Sequence, residues 1–506
     1  MFKKEIHWRL GVISILLLAA VLRLWMLDSK PAHFDEGVNG WFADQIRING
    51  HFSYNPENFH GPWYFYLVHA SQTLFGRNLW ALRLPAILGS LLGVFLLLKF
   101  NRHIGRQAAA LAALAMAVSP AFVFYGRYSI HESWFVAFNI LALLGLLDLW
   151  IAGRRNGLYL LIAGATGMIL TKETYIIHLG TLLLAFPCLL LWDHFVPPKP
   201  KEKHAPQLWS WDELCTALAC ALAAIVLFYS GFGRNWQDLH GLWQTHAEWF
   251  TTGVESEGGH AKEKFDLFVA PLNWYWVWLL ANFEWPLLLG LLAGVRFFWP
   301  APDRLRYIAI YAAGLFLAYS LIPYKTPWCL LALAWPLFLV LATAVDSLRG
   351  VFRTTAWAFA LLAITGSLVR SIELNFYRYV DHSHPYVYVQ TDAEIEKLTG
   401  PLFAQATADP QKYFLNGTIL LESYYPLPWT LGDFPHIAYF GNDQKKWPEI
   451  LDGDFVVIDG EDADIVRKRL DKNRSWIERS FHLRDGMKSA IVFFAKDAFP
   501  NEEAAP

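Results

Sequence analysis

Two adjacent carboxylates, Asp35 and Glu36, follow the first apolar stretch of the sequence and are candidates for proton transfer. A carboxylate can accept a proton from an attacking group when the two lie within hydrogen-bond reach. Asp35 could instead be the N-cap of a helix over residues 38–46, with Glu36 in its first turn, where the helix dipole favours negative charge. Capping also fixes the direction of a carboxylate, and Gly37 and Gly40 leave space beside it, so both interpretations stay open at this point.

Three short polar turns between apolar stretches contain most of the other candidate residues. Each combines a cation with further polar groups; they contain Arg127, His131 and Glu132, then Lys172 and Glu173, then Tyr324 and Lys325. An interfacial Lys or Arg often serves only as an anchor that reaches from apolar surface to water. If the three turns share one face with the acidic pair, however, they predict a cationic pocket suited to a lipid phosphate.

Histidines accompany the acids and allow a second kind of site. His33 lies two residues before Asp35, and His60 begins a His-Gly-Pro-Trp sequence later in the same loop. Imidazole and carboxylate groups are suitable ligands for zinc or manganese, so a divalent-metal site at Asp35, His131 and Glu132 is one alternative. The spacing contains no close His pair, which favours histidines that only form hydrogen bonds. The residues therefore do not require a cofactor, and a divalent metal stays an alternative.

Glu284 lies inside an apolar stretch, where a carboxyl group is costly and functional by default. The alternative is that it lies near the interface or pairs with Asn282 or a neighbouring helix. We weigh these two interpretations equally.

Composition sets the class of protein that must position these residues. Of the 506 residues, 55% are hydrophobic and 17% charged, which is typical of a polytopic membrane protein with some soluble mass. The net charge of -2 provides no field that would recruit nucleic acid. The four cysteines lie in or beside apolar runs, which argues against disulfides and thiolate metal sites.

About eleven stretches approach the roughly 20 apolar residues that a membrane-spanning helix needs. They lie near residues 8–27, 80–98, 108–125, 133–152, 158–171, 175–195, 213–231, 272–298, 307–322, 328–345 and 356–372. The first outside loop, 28–79, contains two amphipathic stretches that we expect to be interfacial helices. The remaining residues, 373–506, predict a soluble α/β domain with strands near 386–389, 418–421, 455–458 and 490–494.

The distribution of lysine and arginine predicts the orientation. One set of connections is rich in these cations, while the short turns on the opposite side have one cation each. Cytoplasmic loops carry the excess of Lys and Arg. We therefore expect the N-terminus in the cytoplasm, and the acidic pair, the three turns and the C-terminal domain outside.

These motifs together resemble the GT-C class of membrane glycosyltransferases. The resemblance rests on His33 to Gly37, His60 to Pro62, Thr171 to Glu173 and Pro323 to Trp328, and spans about residues 8–372. Among GT-C enzymes, the sequence is most similar to protein O-mannosyltransferase-like and aminoarabinose-transferase-like enzymes, and to a prokaryotic subfamily described only as flippase-associated. His131-Glu132 stands where that subfamily tends to have Asn-Asp, which leaves metal use open.

The resemblance implies inverting transfer of a sugar from a polyprenyl-phosphate donor to a lipid, glycan or protein acceptor. It implies that Asp35 activates the acceptor, with Glu36 as its neighbour, and that Glu132 contributes to the same centre. The residues that would surround the substrates are His33, His60, Arg127, Glu132, Lys172, Glu173, Tyr324 and Lys325. It further implies a prokaryotic cytoplasmic membrane as the location.

Two rival functions fit parts of the same sequence. One is a transporter or flippase component for lipid-linked saccharides, in which the same charged residues would form a translocation path. The presence of Glu284 favours this function. The polar residues cluster outside rather than at mid-membrane, and the sequence indicates no paired interrupted helices of the inverted-repeat type, which argues against it. A catalytically inactive scaffold whose soluble domain binds partners is the other rival.

Overall fold

The computed structural model describes residues 2–58, 60–200, 209–255, 274–322, 325–500 and 502. Two compact units divide the chain, residues 1–27 with 45–378, and residues 28–44 with 379–506. The first unit is helical. Residues 28–44, which the sequence places in the first outside loop, therefore group with the C-terminal residues.

Helices occupy every apolar stretch identified in the sequence. In chain order they are α1 (Phe2–Leu24), α2 (Phe34–Asn49), α3 (Trp63–Phe75), α4 (Leu79–Lys99), α5 (Asn101–Ile104), α6 (Arg106–Val118), α7 (Pro120–Phe124), α8 (Glu132–Trp150), α9 (Asn156–Ile169), α10 (Tyr175–Phe195), α11 (Trp211–Tyr229), α12 (Asp238–Glu255), α13 (Tyr275–Phe283), α14 (Trp285–Ala293), α15 (Asp303–Leu321), α16 (Cys329–Ser347) and α17 (Gly350–Phe376). The two expected interfacial helices correspond to α2 and α3.

Among the described residues, fewer helices are suited to span a membrane than the eleven that the sequence predicts. Within the described residues, seven helices are long and apolar enough to cross a membrane, or eight if the bent pair α6 and α7 is one span. The helices α9 and α14 are apolar but short. These two helices are not counted as spans because a helix needs about 20 residues to cross the hydrocarbon. The polytopic helical fold is confirmed, whereas the count of eleven is not.

The core of the first unit surrounds α16, which is buried from Cys329 to Val345. The helices α8 and α9 pack closely because glycines line their contact. A Cβ atom on Gly145 would lie 2.4 Å from the backbone nitrogen of Leu161, and one on Gly164 would lie 2.6 Å from that of Ala142. Small residues let helix backbones approach in membranes, where lipid provides little hydrophobic driving force for association.

The second unit contains a five-stranded mixed sheet, which confirms the predicted C-terminal α/β domain. Its strands are β1 (Gly417–Leu420), β2 (Ile437–Tyr439), β3 (Phe455–Asp459), β4 (Trp476–Phe481) and β5 (Ala490–Ala495), in the order β2-β1-β3-β5-β4. Strands β2, β1 and β3 are parallel, while β5 is antiparallel to β3 and β4. Its helices are α18 (Glu396–Ala408), α19 (Leu427–Thr430) and α20 (Ala463–Arg469).

Alternate residues of β3 lie in two separate apolar clusters. Phe455 and Val457 belong to one cluster, and Val456 and Ile458 belong to the other. A parallel strand covered on both faces is apolar throughout, which explains this continuous run. The strand predicted over Tyr386–Val389 is wrong, since these residues form turns and bends. Tyr386 and Val387 are buried without pairing to the sheet.

Candidate active site

The start of α2 separates the two acids that the sequence presents as a pair. The helix begins at Phe34, so His33 is the N-cap residue rather than Asp35. The Nδ1 atom of His33 accepts a hydrogen bond from the backbone N–H of Asp35, at 3.0 Å. Glu36, at the third helical position, accepts one from the backbone N–H of His33, at 2.9 Å. These two contacts satisfy N–H groups that the helix leaves unpaired, as in a capping box.

Asp35 is left outside this capping arrangement. Its side chain is 33% exposed, whereas Glu36 is fully buried. The nearest Asp35 oxygen lies 3.8 Å from Nδ1 of His33. The interpretation of Asp35 as the helix cap is therefore wrong. Its carboxylate is held on the first turn of α2 and is accessible to another molecule.

His33 has one defined tautomer in this arrangement. Its Nε2 atom lies 2.8 Å from the carbonyl oxygen of Tyr388, a hydrogen-bond acceptor, so Nε2 carries the proton. Nδ1 accepts from Asp35 N–H and is unprotonated. Burial lowers the pKa of His33, and the charge of Asp35 only partly opposes this. A neutral His33 thus ties α2 to the C-terminal domain.

In the first unit, the three polar turns come together. Glu132 of the first turn forms an ion pair with Lys172 of the second, and both side chains are buried. The rings of Tyr125 and Trp328 lie 6.2 Å apart and bring the first turn to the third. Burial lowers the pKa of Lys172, but the charges of Glu132, Cys329 and Glu173 and the hydrogen bond to Glu132 together outweigh it, and the pKa lies well above the usual value. Lys172 is consequently a buried cation paired with Glu132.

His60 joins this group through Glu173. Its Nδ1 lies 3.1 Å from a Glu173 carboxylate oxygen, and its ring centre is 4.5 Å from that of His131. Burial raises the pKa of Glu173, yet His60 and Lys172 more than compensate and leave it lowered. Burial holds the pKa of His131 well below its usual value. His60 is 30% exposed, so this end of the cluster is accessible.

Arg127 and Lys325 bind helix ends rather than line an open pocket. Arg127 donates to the carbonyls of Leu22, Trp25 and Met26, at 3.0, 2.6 and 2.8 Å, beyond and within the last turn of α1. Lys325 donates to carbonyls at the end of α15, including that of Tyr319 at 2.8 Å. Cations are favourable at helix C-termini because the last carbonyls are unpaired. The expected pocket with three available cations is thus not what these turns form.

Glu284 joins two interrupted helices. It lies between α13 and α14, and its carboxylate accepts from Ser119 Oγ and from the backbone N–H of Ala121, both at 2.7 Å. The helices α6 and α7 meet there at a 64° bend. Pro120 and Pro286 stand at the starts of α7 and α14, where a missing N–H costs nothing. Glu284 therefore pairs with a neighbouring helix, as one of its two interpretations predicts.

Tyr324 lies outside the described residues. Across the residues that the structure does describe, no three His, Cys, Asp or Glu side chains are grouped as metal ligands. Within the first unit, Glu132 pairs with Lys172.

Sequence analysis missed Arg484 of the C-terminal domain. Its guanidinium carbon lies 4.5 Å from the ring centre of Phe34, the residue before Asp35. Burial lowers the pKa of Arg484 to about 10, while the charge of Asp35 opposes the shift. No spacing or motif marks an arginine so distant in sequence, and only the packing of α2 identifies it.

Comparisons with known proteins agree with the geometry. Residues 59–229 match the family model described as dolichyl-phosphate-mannose-protein mannosyltransferase. No curated protein matches the chain. The crystal structure of ArnT from Cupriavidus metallidurans bound to undecaprenyl phosphate is similar at a TM-score of 0.60 and 16% identity, over 98% of this chain and 99% of that one.

Two further solved structures are similar. ArnT from the same organism in the apo state has a TM-score of 0.56 and 15% identity, over 99% of this chain and all of that one. The Archaeoglobus fulgidus oligosaccharyltransferase tethered with an acceptor peptide has a TM-score of 0.51 and 14% identity, over 87% of this chain and 64% of that one. The chain thus has the GT-C fold, and the resemblance seen in the sequence is confirmed.

Proposed function

We propose that this chain, which has the GT-C fold, is an inverting glycosyltransferase that uses a polyprenyl-phosphate-linked sugar. The family match over residues 59–229 and the fold shared with an ArnT bound to undecaprenyl phosphate support a lipid-linked donor. The acceptor is a lipid, glycan or protein that reaches the membrane surface. The donor's tail stays in the bilayer, so the transfer occurs at the interface.

Asp35 is the proposed general base, and its geometry is the observation that carries the proposal. His33 and Glu36 cap α2, while the Asp35 carboxylate remains one-third exposed on a fixed turn. In the reaction, the acceptor hydroxyl or amine attacks the anomeric carbon as Asp35 takes its proton, and the bond to the lipid phosphate breaks. A base that also served as helix cap would be less available for this step.

Glu36 supports Asp35 in this scheme by stabilising the start of the helix. It is buried, and its carboxylate accepts the His33 N–H. We therefore assign it a positioning role rather than proton transfer.

The cluster of Glu132, Lys172, His60 and Glu173 is the proposed partner of the lipid phosphate. Lys172 keeps its charge in a buried setting, and a fixed charge in such a setting stabilises a developing anion more than it would in water. His60 is the member with exposed surface. Arg127 and Lys325 contribute by fixing the ends of α1 and α15.

The location proposed is a prokaryotic cytoplasmic membrane, with the N-terminus in the cytoplasm and the C-terminal domain outside. The excess of Lys and Arg in one set of loops supports this orientation. Nucleotide sugars are absent outside the cytoplasm, which fits the use of a lipid-linked donor.

The test is a transfer assay with purified protein and polyprenyl-phosphate hexose. Release of lipid phosphate and labelled sugar is measured for the wild type, Asp35→Asn and a matched control, Asp28→Asn. Asp28 is an exposed carboxylate of the same loop. We expect activity in the wild type and the control, and none in Asp35→Asn at unchanged thermal stability. Full activity of Asp35→Asn would overturn the assignment.

A transport function is the second candidate, because two interrupted helices meet at the buried carboxylate of Glu284. Interrupted helices and buried acids are typical of substrate or ion sites in transporters. Movement of intact lipid-linked saccharide across vesicles, without cleavage of the phosphosugar bond, would favour this candidate over transfer.

A further inference from the structure

One face of α2 packs on a loop of the C-terminal domain within the second unit. Phe34, Gly37 and Gly40 follow one another at three-residue spacing and therefore share a face of the helix. The Phe34 ring meets the edge of Tyr425, with 5.5 Å between ring centres and 68° between planes. Asp35 directly follows Phe34 in the first turn of α2.

The two glycines make the contact close. A Cβ atom on Gly37 would lie 2.4 Å from Cα of Pro426, and one on Gly40 would lie 2.3 Å from Cδ1 of Trp429. No real Cβ approaches other atoms so closely, so any side chain there would push α2 from the loop. The positions of glycine in α2 are thus set by the C-terminal domain.

Arg484 makes a second contact with Phe34. Its guanidinium lies over the Phe34 ring at 4.5 Å, a cation–π arrangement. The guanidinium is fixed by Ser423 Oγ and by Sδ of Met487, the latter at 3.0 Å from Nε. Tyr425 and Arg484 therefore hold the residue that precedes Asp35.

We propose that Arg484, Tyr425, Pro426 and Trp429 are positioning residues for Asp35. The C-terminal domain fixes the first turn of α2, and with it the direction in which the Asp35 carboxylate points. This inference rests on the proposed function of Asp35 and gives the C-terminal domain a task in the same reaction. A misplacement of about 1 Å at a reacting group can cost roughly a hundredfold in rate.

The test compares Arg484→Gln, Arg484→Lys and Gly40→Ala with Gly400→Ala. Gly400 is the matched control, because its Cβ would lie 3.5 Å from Cγ of Glu396, an ordinary contact. Two measurements are made on the full-length protein: steady-state transfer with polyprenyl-phosphate hexose, and hydrogen exchange of the amides of residues 34–44.

We expect Arg484→Gln and Gly40→Ala to lose about ten- to a hundredfold in kcat, with the KM for the donor changed less than about threefold. Their α2 amides should exchange faster than those of the wild type. Arg484→Lys keeps a cation over Phe34 and should restore most of the kcat, while Gly400→Ala should behave as the wild type.

Three results would overturn the proposal. Unchanged exchange in Arg484→Gln would show that Arg484 does not hold α2. Faster exchange with unchanged kcat would show that holding α2 does not position Asp35. A rise of KM alone would assign Arg484 to substrate binding. An inactive wild type would instead overturn the proposed transfer. The exchange data would still show whether Arg484 stabilises α2.

Discussion

The carboxylate of Glu132 forms a buried ion pair with the ammonium of Lys172, which joins the first two polar turns. Removal of one partner from such a pair leaves an uncompensated buried charge, at a cost of about 3–5 kcal/mol. We expect Glu132→Ala and Lys172→Ala each to lower the free energy of unfolding by about that amount. Chemical denaturation in detergent measures the change.

The exposed pair of Lys397 and Glu394 provides the control for this prediction. Lys397→Ala should cost less than about 1 kcal/mol, because solvent screens the pair. Equal losses in Lys172→Ala and Lys397→Ala would contradict a special role for burial.

His131 predicts an acid-dependent loss of stability. Its pKa lies well below the usual value through burial, with His60 and Lys172 adding to the effect. The unfolded chain therefore binds the proton first, near pH 6.5, and folding becomes less favourable as the pH falls below that value. The slope for one such group is at most about 1.4 kcal/mol per pH unit.

The substitution His131→Phe tests this dependence, because three of the groups around His131 are the rings of His60, Tyr64 and Phe65. It should flatten the stability profile between about pH 5 and 6.5. His436→Gln, at an exposed position, should leave the profile unchanged. Parallel profiles for the wild type and His131→Phe would reject the assignment.

Glu284 should matter for folding more than for transfer. Glu284→Ala removes the acceptor of both Ser119 Oγ and Ala121 N–H, and leaves these buried donors unpaired at a cost of about 1–3 kcal/mol each. Glu284→Gln keeps one acceptor oxygen and should cost less. Thermal unfolding in detergent, measured beside kcat, tests this. A stable variant that loses only a transport activity would instead support the transport function.

The predicted orientation can be tested by labelling with a membrane-impermeant maleimide. In a variant with its four cysteines replaced by serine or alanine, Asn473→Cys should react in intact cells. Asn156→Cys should react only after the membrane is opened. Both asparagines are exposed in the structure, so access alone does not separate them. Reversed labelling would place the C-terminal domain in the cytoplasm.

The sequence predicts the helices well because apolar length is a local signal. The stretch at 175–195, for example, coincides with α10. Strands are predicted less completely. The sequence analysis does not anticipate β2 and β4, because their partially exposed residues lack a continuous apolar run. The turns at Tyr386–Val389 were mistaken for a strand because all four residues are aromatic or β-branched, the types that strands favour.

The sequence marks candidate residues but does not show what each of them contacts. In the sequence, Asp35 and Glu36 are equivalent neighbours, and only the helix start at Phe34 makes one a capping group and the other an exposed carboxylate. Arg127 could equally be an anchor or a phosphate ligand, until the carbonyls at the end of α1 are seen beside it. The carbonyl groups that bind Arg127 are distant from it in the chain, so the local sequence pattern does not indicate them.

The grouping of residues 28–44 with residues 379–506 has a consequence for biosynthesis. A ribosome releases the chain from its N-terminus, so α2 leaves it long before the loop at Tyr425 or Arg484 exists. The helix that carries Asp35 therefore cannot pack against Tyr425 and Arg484 until the last part of the chain has been synthesised. Any product that stops before this point would contain Asp35, yet lack the contacts of Tyr425 and Arg484 with Phe34.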